Sequence, residues 1–225
     1  MSEPESLATI EGLDEHIRRH SYDRLIMLSD GIFAIATTLA ALDVRLPIRG
    51  DDFLASLAAG RRGLLAYAVS FAIAGIFWIS NRNLFARLRR VDTVLTVLTL
   101  AMLCLIALIP AAIRSLYLQG GGGGAGFRLY GLTMFACGLI NTAMWGYASF
   151  RPGLMLTAVS RREQWARIAA TATLPIFFLP LWLLPSGRSA TFVVPLAALM
   201  LLVRRVLLPR WLVAGKSAGS DSSGR

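Results

Sequence analysis

A carboxylate stands inside the first long apolar run of this chain. Asp30 lies in residues 25–46, which are predominantly apolar or small, and Ser29 and Gly31 flank it. A free carboxylate there would cost about 2.5 kcal/mol or more in a bilayer, so Asp30 must have hydrogen-bond partners or meet water. We favour a structural hydrogen-bonding centre that joins helices; direct contact with a permeating ion is the alternative.

Two faces of the same run could line a pathway or pack against a neighbour. The first is a stripe of small residues that permits close helix approach, formed by Gly31, Ala34, Thr38 and Ala41. The second mixes apolar side chains with a hydroxyl and consists of Ile35, Thr38, Leu39 and Leu42. Either face, taken alone, is more often a packing surface than a pore lining, so the residues leave both roles open.

The chain offers no catalytic constellation. His16 and His20 precede the first run, and Cys104 and Cys137 lie in apolar runs with no neighbouring His or Asp. The His-Glu-x-x-His and Gly-x-Ser-x-Gly patterns are absent, and the glycine run 120–124 lacks the Lys-Ser or Lys-Thr ending of a phosphate loop. We therefore expect no enzymatic activity, no metal site and no cofactor.

Composition predicts a membrane protein. The 225 residues are 56% hydrophobic and only 16% charged, whereas soluble domains carry about 25% charged residues. Apolar runs of membrane-crossing length cover residues 25–46, 63–80, 93–116, 127–150, 166–184 and 189–208. They predict an all-α protein with six transmembrane helices, because lipid leaves open backbone groups without partners. The last run contains Arg204 and Arg205; if it lies on the membrane surface instead, the C-terminus changes sides.

The basic residues predict the orientation. With a cytoplasmic N-terminus, 16 of the 23 bases lie inside and seven outside, which favours two cytoplasmic termini in a cell membrane. The bases fill the gaps between apolar runs, so the net charge of +10 does not indicate nucleic-acid binding. We expect a cytoplasmic segment (1–24) with no removable secretory signal, a transmembrane domain (25–213) and a disordered tail (214–225).

The first run also resembles a known family. Arg24, Leu28, Ser29 and Asp30 stand as in the Arg-x-x-x-Phe-Ser-Asp signature of the transmembrane-protein-175 family, the endolysosomal potassium channel and its bacterial six-helix relatives. Further motifs agree with the bacterial members in order and spacing: Tyr67, Ser70-Phe71, Phe77-Trp78, Arg82, Leu84-Phe85, Val91-Asp92 and Leu108-Ile109-Pro110. The resemblance covers residues 24–116, and the second half matches only in its number of helices.

This resemblance implies a homotetramer whose first helices line a central cation pathway without a carbonyl filter. By analogy, Ile35 forms an apolar constriction, Thr38 lies one turn outward in a hydroxyl ring, and Leu39 and Leu42 line or back the pathway farther out. The family's polar clasp corresponds here to Arg24, Ser29 and Asp30, with Trp78 and Asn81 as candidate partners.

Departures from the family pattern limit the expected selectivity. Leu28 replaces a usual Phe, Ala40 and Ala41 replace bulkier aliphatic residues, and Asn81 stands near a usual His. We therefore expect a channel for potassium or other monovalent cations with a modest potassium preference. A secondary or proton-coupled transporter is an alternative, although no internal duplication is visible; a noncatalytic membrane scaffold is another.

Overall fold

Six helices make up nearly all of the described chain. The structure, a computed structural model, describes residues 3–42, 44, 52–118, 124–156 and 160–183. In chain order the helices are α1 (Glu3–Leu42), α2 (Phe53–Phe85), α3 (Thr93–Ala107), α4 (Ile109–Leu118), α5 (Ala125–Phe150) and α6 (Arg161–Leu183). The expected sixth crossing (189–208) and the C-terminal tail (214–225) lie outside the described residues.

Three segments within the described residues are long and apolar enough to cross a membrane. They are Tyr22–Leu42, Gly63–Phe85 and Thr93–Ser115, and they correspond to the first three predicted crossings. The helices α5 and α6 lie where the fourth and fifth crossings are expected, but neither is among these three segments. The prediction of an all-helical membrane protein is confirmed in this coarser form.

The first helix is much longer than its apolar run. It begins at Glu3 and continues for 40 residues to Leu42, about 60 Å at 1.5 Å per residue. The sequence predicts a polar segment before residue 25 but gives it no secondary structure. In the structure this segment is the N-terminal half of α1, and no break separates it from the apolar half.

The third predicted crossing is divided into two helices. Asp92 starts α3 by accepting a hydrogen bond from the Leu95 backbone N–H at 2.9 Å, and α3 ends at Ala107. Pro110 has no N–H to continue the hydrogen-bond ladder, and its ring disfavours helical geometry just before it. The Leu108 N–H bonds the Leu105 carbonyl at 3.1 Å in a tight turn, and α4 then begins at Ile109.

α5 holds the bundle together, because it packs against α2, α3, α4 and α6. Its contact with α6 depends on Gly138, where an added Cβ would lie 2.7 Å from Cδ of Pro175. α6 continues past Pro175 to Leu183. Pro175 therefore lies within α6 and against Gly138 of α5, where there is no room for a larger side chain.

Two connections between helices are joined at one end of the bundle. Leu88, after α2, forms an isolated antiparallel bridge with Met155, after α5. Two backbone hydrogen bonds support it, from Arg89 N to Leu154 O at 2.8 Å and from Leu156 N to Arg87 O at 2.9 Å. Leu88 and Leu154 are both buried, so apolar packing adds to these bonds.

Candidate functional site

One face of α1 packs against its own subunit. The buried side chains recur every three or four residues, as one face of a helix requires: Leu25, Ser29, Phe33, Ala36 and Ala40. Phe33 is 4% exposed, and the small side chains of Ala36 and Ala40 allow neighbouring helices to approach. This face contacts α2, α3 and α4.

The opposite face of α1 carries the predicted pore residues. Ile35 is 59% exposed, Leu39 46% and Leu42 80%, and Thr38 is also exposed. These four residues lie together and point away from the subunit's own core. We call Ile35, Thr38, Leu39 and Leu42 the open face of α1.

The predicted stripe of small residues is also exposed. Ala34 and Ala41 lie on the surface of the subunit, and an added Cβ at Gly31 would meet nothing within 4 Å. Within the subunit, close approach therefore uses Ala36 and Ala40 instead. The spacing of residues 29, 33, 36 and 40 is that of one helix face. Because the whole run is apolar or small, the sequence contains several such faces and does not show which one is buried.

The Thr38 hydroxyl bonds to its own helix. Its Oγ1 lies 2.9 Å from the Ala34 carbonyl and 3.0 Å from the Ile35 carbonyl, so its proton is donated to the backbone. The oxygen keeps lone pairs that can accept from water or face a cation. The adjacent Thr37 makes equivalent bonds to Phe33 and Ala34, but it is half-buried.

Asp30 and Trp78 are in direct contact. The indole Nε1–H of Trp78 donates to Asp30 Oδ1 at 2.7 Å and thereby connects α2 to α1. The guanidinium of Arg82 lies 5.7 Å from the centre of the Trp78 ring, a cation–π distance. Asp30 is exposed on the subunit surface, so its other acceptor positions remain accessible from outside.

The remaining members of the predicted clasp are placed separately. Ser29 is buried, and its hydroxyl donates to the Leu25 carbonyl at 2.8 Å. Asn81 is buried, and its Oδ1 has no hydrogen-bond partner among the described residues. Arg24 is exposed. Of the five predicted residues, Asp30 and Trp78 are thus the two that the described structure brings together by a hydrogen bond.

A second polar connection, between α2 and α5, is not anticipated from the sequence. Trp145 Nε1 donates to Ser80 Oγ at 3.0 Å, and Ser80 Oγ donates to Asn141 Oδ1 at 2.9 Å. Asn141 and Trp145 are polar-capable side chains four positions apart in an apolar helix, so they share one helix face and indicate a polar contact there. What the sequence does not provide is their partner on α2.

The described residues contain no group of three or more His, Cys, Asp or Glu side chains that could hold a metal ion. The Asp92 carboxylate is occupied by the α3 N-terminus and by Tyr147, whose hydroxyl lies 2.5 Å from Asp92 Oδ2. From Asp30 to Leu42 the exposed side chains of α1 are one carboxylate (Asp30), one hydroxyl (Thr38) and apolar or small groups.

Comparison with known proteins identifies similar membrane proteins. Residues 24–110 match the family model described as endosomal/lysosomal potassium channel TMEM175. A potassium channel of Streptomyces collinus is 34% identical over 128 residues, covering 54% of this chain and 62% of the relative. A potassium channel of Chamaesiphon minutus is 25% identical over 146 residues, covering 62% of this chain and 72% of the relative.

The match to mammalian proteins is shorter. The human endosomal/lysosomal proton channel TMEM175 is 32% identical over 85 residues, which cover 33% of this chain and 17% of the human protein. The chain thus spans 62% of the Streptomyces relative and a small part of the human one. A crystal structure of a variant of the potassium channel MtTMEM175 has a TM-score of 0.51 at 18% identity, covering 88% of this chain and 94% of that one. At this identity the similarity shows a common fold.

Proposed function

We propose that this chain, whose residues 24–110 match the TMEM175 family model, belongs to that family and forms a cation channel with a modest preference for potassium. In this proposal four subunits surround a central axis, and the open face of α1 from each subunit lines the pathway. The channel lies in the cell membrane with both termini cytoplasmic. The first 24 residues precede the membrane domain, which extends to residue 213.

The open face of α1 is the observation that carries the proposal. One face of the apolar half of α1 packs against three helices of its own subunit, while Ile35, Thr38, Leu39 and Leu42 are covered by no other element of the described chain. Lipid could cover the leucines and the isoleucine. A water-filled pathway at this face gives the exposed Thr38 hydroxyl contact with water, whereas lipid gives it none.

The constriction is assigned to Ile35. Four isoleucine side chains around an axis make a narrow apolar neck, and such a neck restricts ions by excluding water. A small rotation of α1, or a change of isoleucine rotamer, alters its width. Leu39 and Leu42 continue the apolar lining beyond it, one and two turns toward the end of α1.

Thr38 supplies the polar ring of the pathway. It lies three residues after Ile35, about 4.5 Å along the helix axis. Because its proton is committed to the Ala34 and Ile35 carbonyls, its oxygen is available to replace part of the hydration of a cation. One ring of hydroxyl oxygens gives less size discrimination than stacked carbonyl rings, so the potassium preference is modest.

The Trp78–Asp30 bond has a positioning role in this mechanism. It fixes the rotation of α1 relative to α2 and so determines which residues face the axis. Arg24, Ser29 and Asn81 complete the proposed polar network at the same end of the apolar segment. Asp30 thereby acts on conduction through α1 and not by coordinating the permeating ion.

A cysteine-accessibility scan tests the proposal most directly. Cys104 is exposed and is first replaced by Ala, while Cys137 is buried. Single cysteines then replace Ile35, Thr38, Leu39 and Leu42 in protein reconstituted into liposomes with a potassium gradient. A charged, water-soluble thiol reagent is expected to block flux at these positions. Cysteine at Val97, which is 58% exposed on α3, is the control.

The outcomes separate the alternatives. Passive potassium flux blocked at α1 positions but not at position 97 supports the channel. Folded tetramers without cation flux would overturn it. Saturable uptake coupled to a second ion indicates a transporter, and a monomer in mild detergent indicates a scaffold whose open face serves another purpose.

A further inference from the structure

Two arginines share one tryptophan ring at the end of the bundle that carries the Leu88–Met155 bridge. The guanidinium carbon of Arg87 lies 5.9 Å from the centre of the Trp145 ring, and that of Arg167 lies 5.7 Å from it. Arg87 follows α2, Trp145 belongs to α5 and Arg167 to α6. We call these three residues the arginine–tryptophan cluster.

One backbone hydrogen bond and one side-chain hydrogen bond hold two members of the cluster in place. The Arg87 carbonyl accepts the Leu156 N–H in the bridge between the two connections, so the start of the Arg87 side chain is anchored next to α5. The indole N–H of Trp145 is bonded to Ser80, which holds the ring in place. The fold thus positions the Arg87 backbone and the Trp145 ring, while the Arg87 side chain itself is exposed.

The cluster has more positive than negative charge. Glu163 accepts a hydrogen bond from Arg167 Nη2. Arg87 Nη1 donates to the uncharged Asn83 carbonyl at 2.9 Å. One carboxylate thus faces two guanidinium groups. Burial lowers the pKa of Arg87, and the nearby positive charge of Arg167 lowers it further, against an opposite effect of Glu163. The positive charges of the two arginines therefore repel each other.

One donor of the cluster is unsatisfied. Nη1 of Arg167 is buried and has no hydrogen-bond partner among the described residues. The whole Arg167 side chain is 18% exposed, so only a small part of it meets solvent. A charged donor left unpaired in this way is costly, so an acceptor from outside the described residues would stabilise this end of the bundle.

We propose that the arginine–tryptophan cluster binds a phosphate-type oxyanion between Arg87 and Arg167. A phosphate supplies several acceptor oxygens for the guanidinium donors, including Arg167 Nη1, and its negative charge relieves the repulsion. Further arginines lie in the last turn of α2, in the segment after it and at the C-cap of α5, and they raise the local concentration of anions: Arg82, Arg89, Arg90 and Arg151. The phosphate belongs either to a lipid headgroup or to a free anion.

Thermal unfolding of purified, delipidated protein distinguishes these sources. Inorganic phosphate is compared with chloride at equal ionic strength, and phosphatidic acid is compared with a neutral diacylglycerol of the same chains. A higher Tm with inorganic phosphate supports a free-anion site. A higher Tm with phosphatidic acid alone supports a headgroup site. If neither raises the Tm, the proposal is wrong.

Substitutions assign the effect to the cluster. Arg87→Gln is expected to weaken phosphate binding at least about tenfold, because one charge-assisted hydrogen bond is lost. Arg151→Gln removes the same charge from an exposed position at the same end and is the matched control. Equal weakening by both variants would indicate unspecific attraction and overturn the proposal.

A conservative variant covers the case in which Arg87→Gln does not fold. Arg87→Lys keeps the positive charge but lacks the forked donors, so binding is expected to fall while the protein elutes as the same folded species. Undiminished phosphate binding by Arg87→Lys would count against a site built from guanidinium groups. None of these measurements requires ion conduction, so they are independent of the proposed channel activity.

Discussion

The indole nitrogen of Trp78 donates to the Asp30 carboxylate across 2.7 Å, and this bond ties the first helix to the second. Asp30 lies on α1 one residue after the buried Ser29 and five before Ile35. We propose that a contact at this point sets the rotation of the helix segment that bears the open face. Its removal is therefore expected to affect the assembly before it affects the ion preference.

Asp30→Ala is expected to destabilise the folded protein by about 1 to 3 kcal/mol, because the indole donor loses its charged acceptor. Trp78→Phe removes the same bond from the other side while keeping an aromatic ring. Thermal unfolding of the two single variants and the double variant measures the coupling. Asp23→Ala, an exposed acid on the same helix, is the control. Additive effects of the two substitutions would show that the bond contributes nothing, and a stable tetramer with altered selectivity would place Asp30 in the ion pathway.

Ile35→Asn is expected to raise potassium flux, because an amide wets a neck that isoleucine keeps dry. Lowering the barrier by about 1.4 kcal/mol would increase conductance roughly tenfold. Flux into liposomes measures the change. Ile79 has a similar exposure, 51%, on α2, and Ile79→Asn is expected to leave flux unchanged. Unchanged flux in Ile35→Asn would remove this residue from the pathway.

Thr38→Val is expected to lower the potassium-to-sodium permeability ratio toward one, since the isosteric methyl group cannot replace water around a cation. Reversal potentials under mixed gradients provide the measurement. Thr37→Val deletes a hydroxyl with the same backbone bonds from the adjacent, half-buried position. An equal change in both variants would point to an effect on the helix, and no change in Thr38→Val would exclude its oxygen as an ion ligand.

Gly138→Ala is expected to destabilise the contact between α5 and α6. The added Cβ would lie 2.7 Å from Pro175 Cδ and 2.8 Å from the Pro175 nitrogen, and overpacking of this kind costs about 1 to 3 kcal/mol. Gly146→Ala on the same helix meets nothing within 4 Å and is expected to be stabilising by roughly 0.5 to 1 kcal/mol. The difference in Tm between the two variants is the measurement, and its reversal would show that α5 and α6 do not pack at this proline.

Hydropathy predicts the positions of the apolar helices because lipid imposes the same requirement on every crossing. The first membrane-length segment starts at Tyr22, three residues before the predicted start at residue 25. The second starts at Gly63 in both the prediction and the structure. The interruption at Leu108 was not expected, because residues 93–116 have the right length for one crossing. Pro110 is the residue that indicates a break in the helix, but a proline near the end of an apolar run is also compatible with an unbroken crossing.

Contacts between distant segments are harder to predict. Phe33, Ala36 and Ala40 form the inner face of α1, yet nearly every position of this run is apolar or small, so periodicity does not select one face. The bridge between Leu88 and Met155 joins two connections that are 67 residues apart in the sequence. Neither segment has the length or alternation of a strand. Only the packing of α2 and α5 brings the two together.

The unbroken first helix gives the protein a mechanical property. Its 40 residues extend about 60 Å, roughly twice the thickness of the hydrocarbon layer, and residues 5–42 contain no proline. A rotation of the acidic N-terminal half of α1 is therefore carried along the continuous helix to position 35. A partner or a neighbouring subunit that binds the N-terminal half of α1 outside the membrane can therefore turn the half that lies inside the bilayer without entering the bilayer itself.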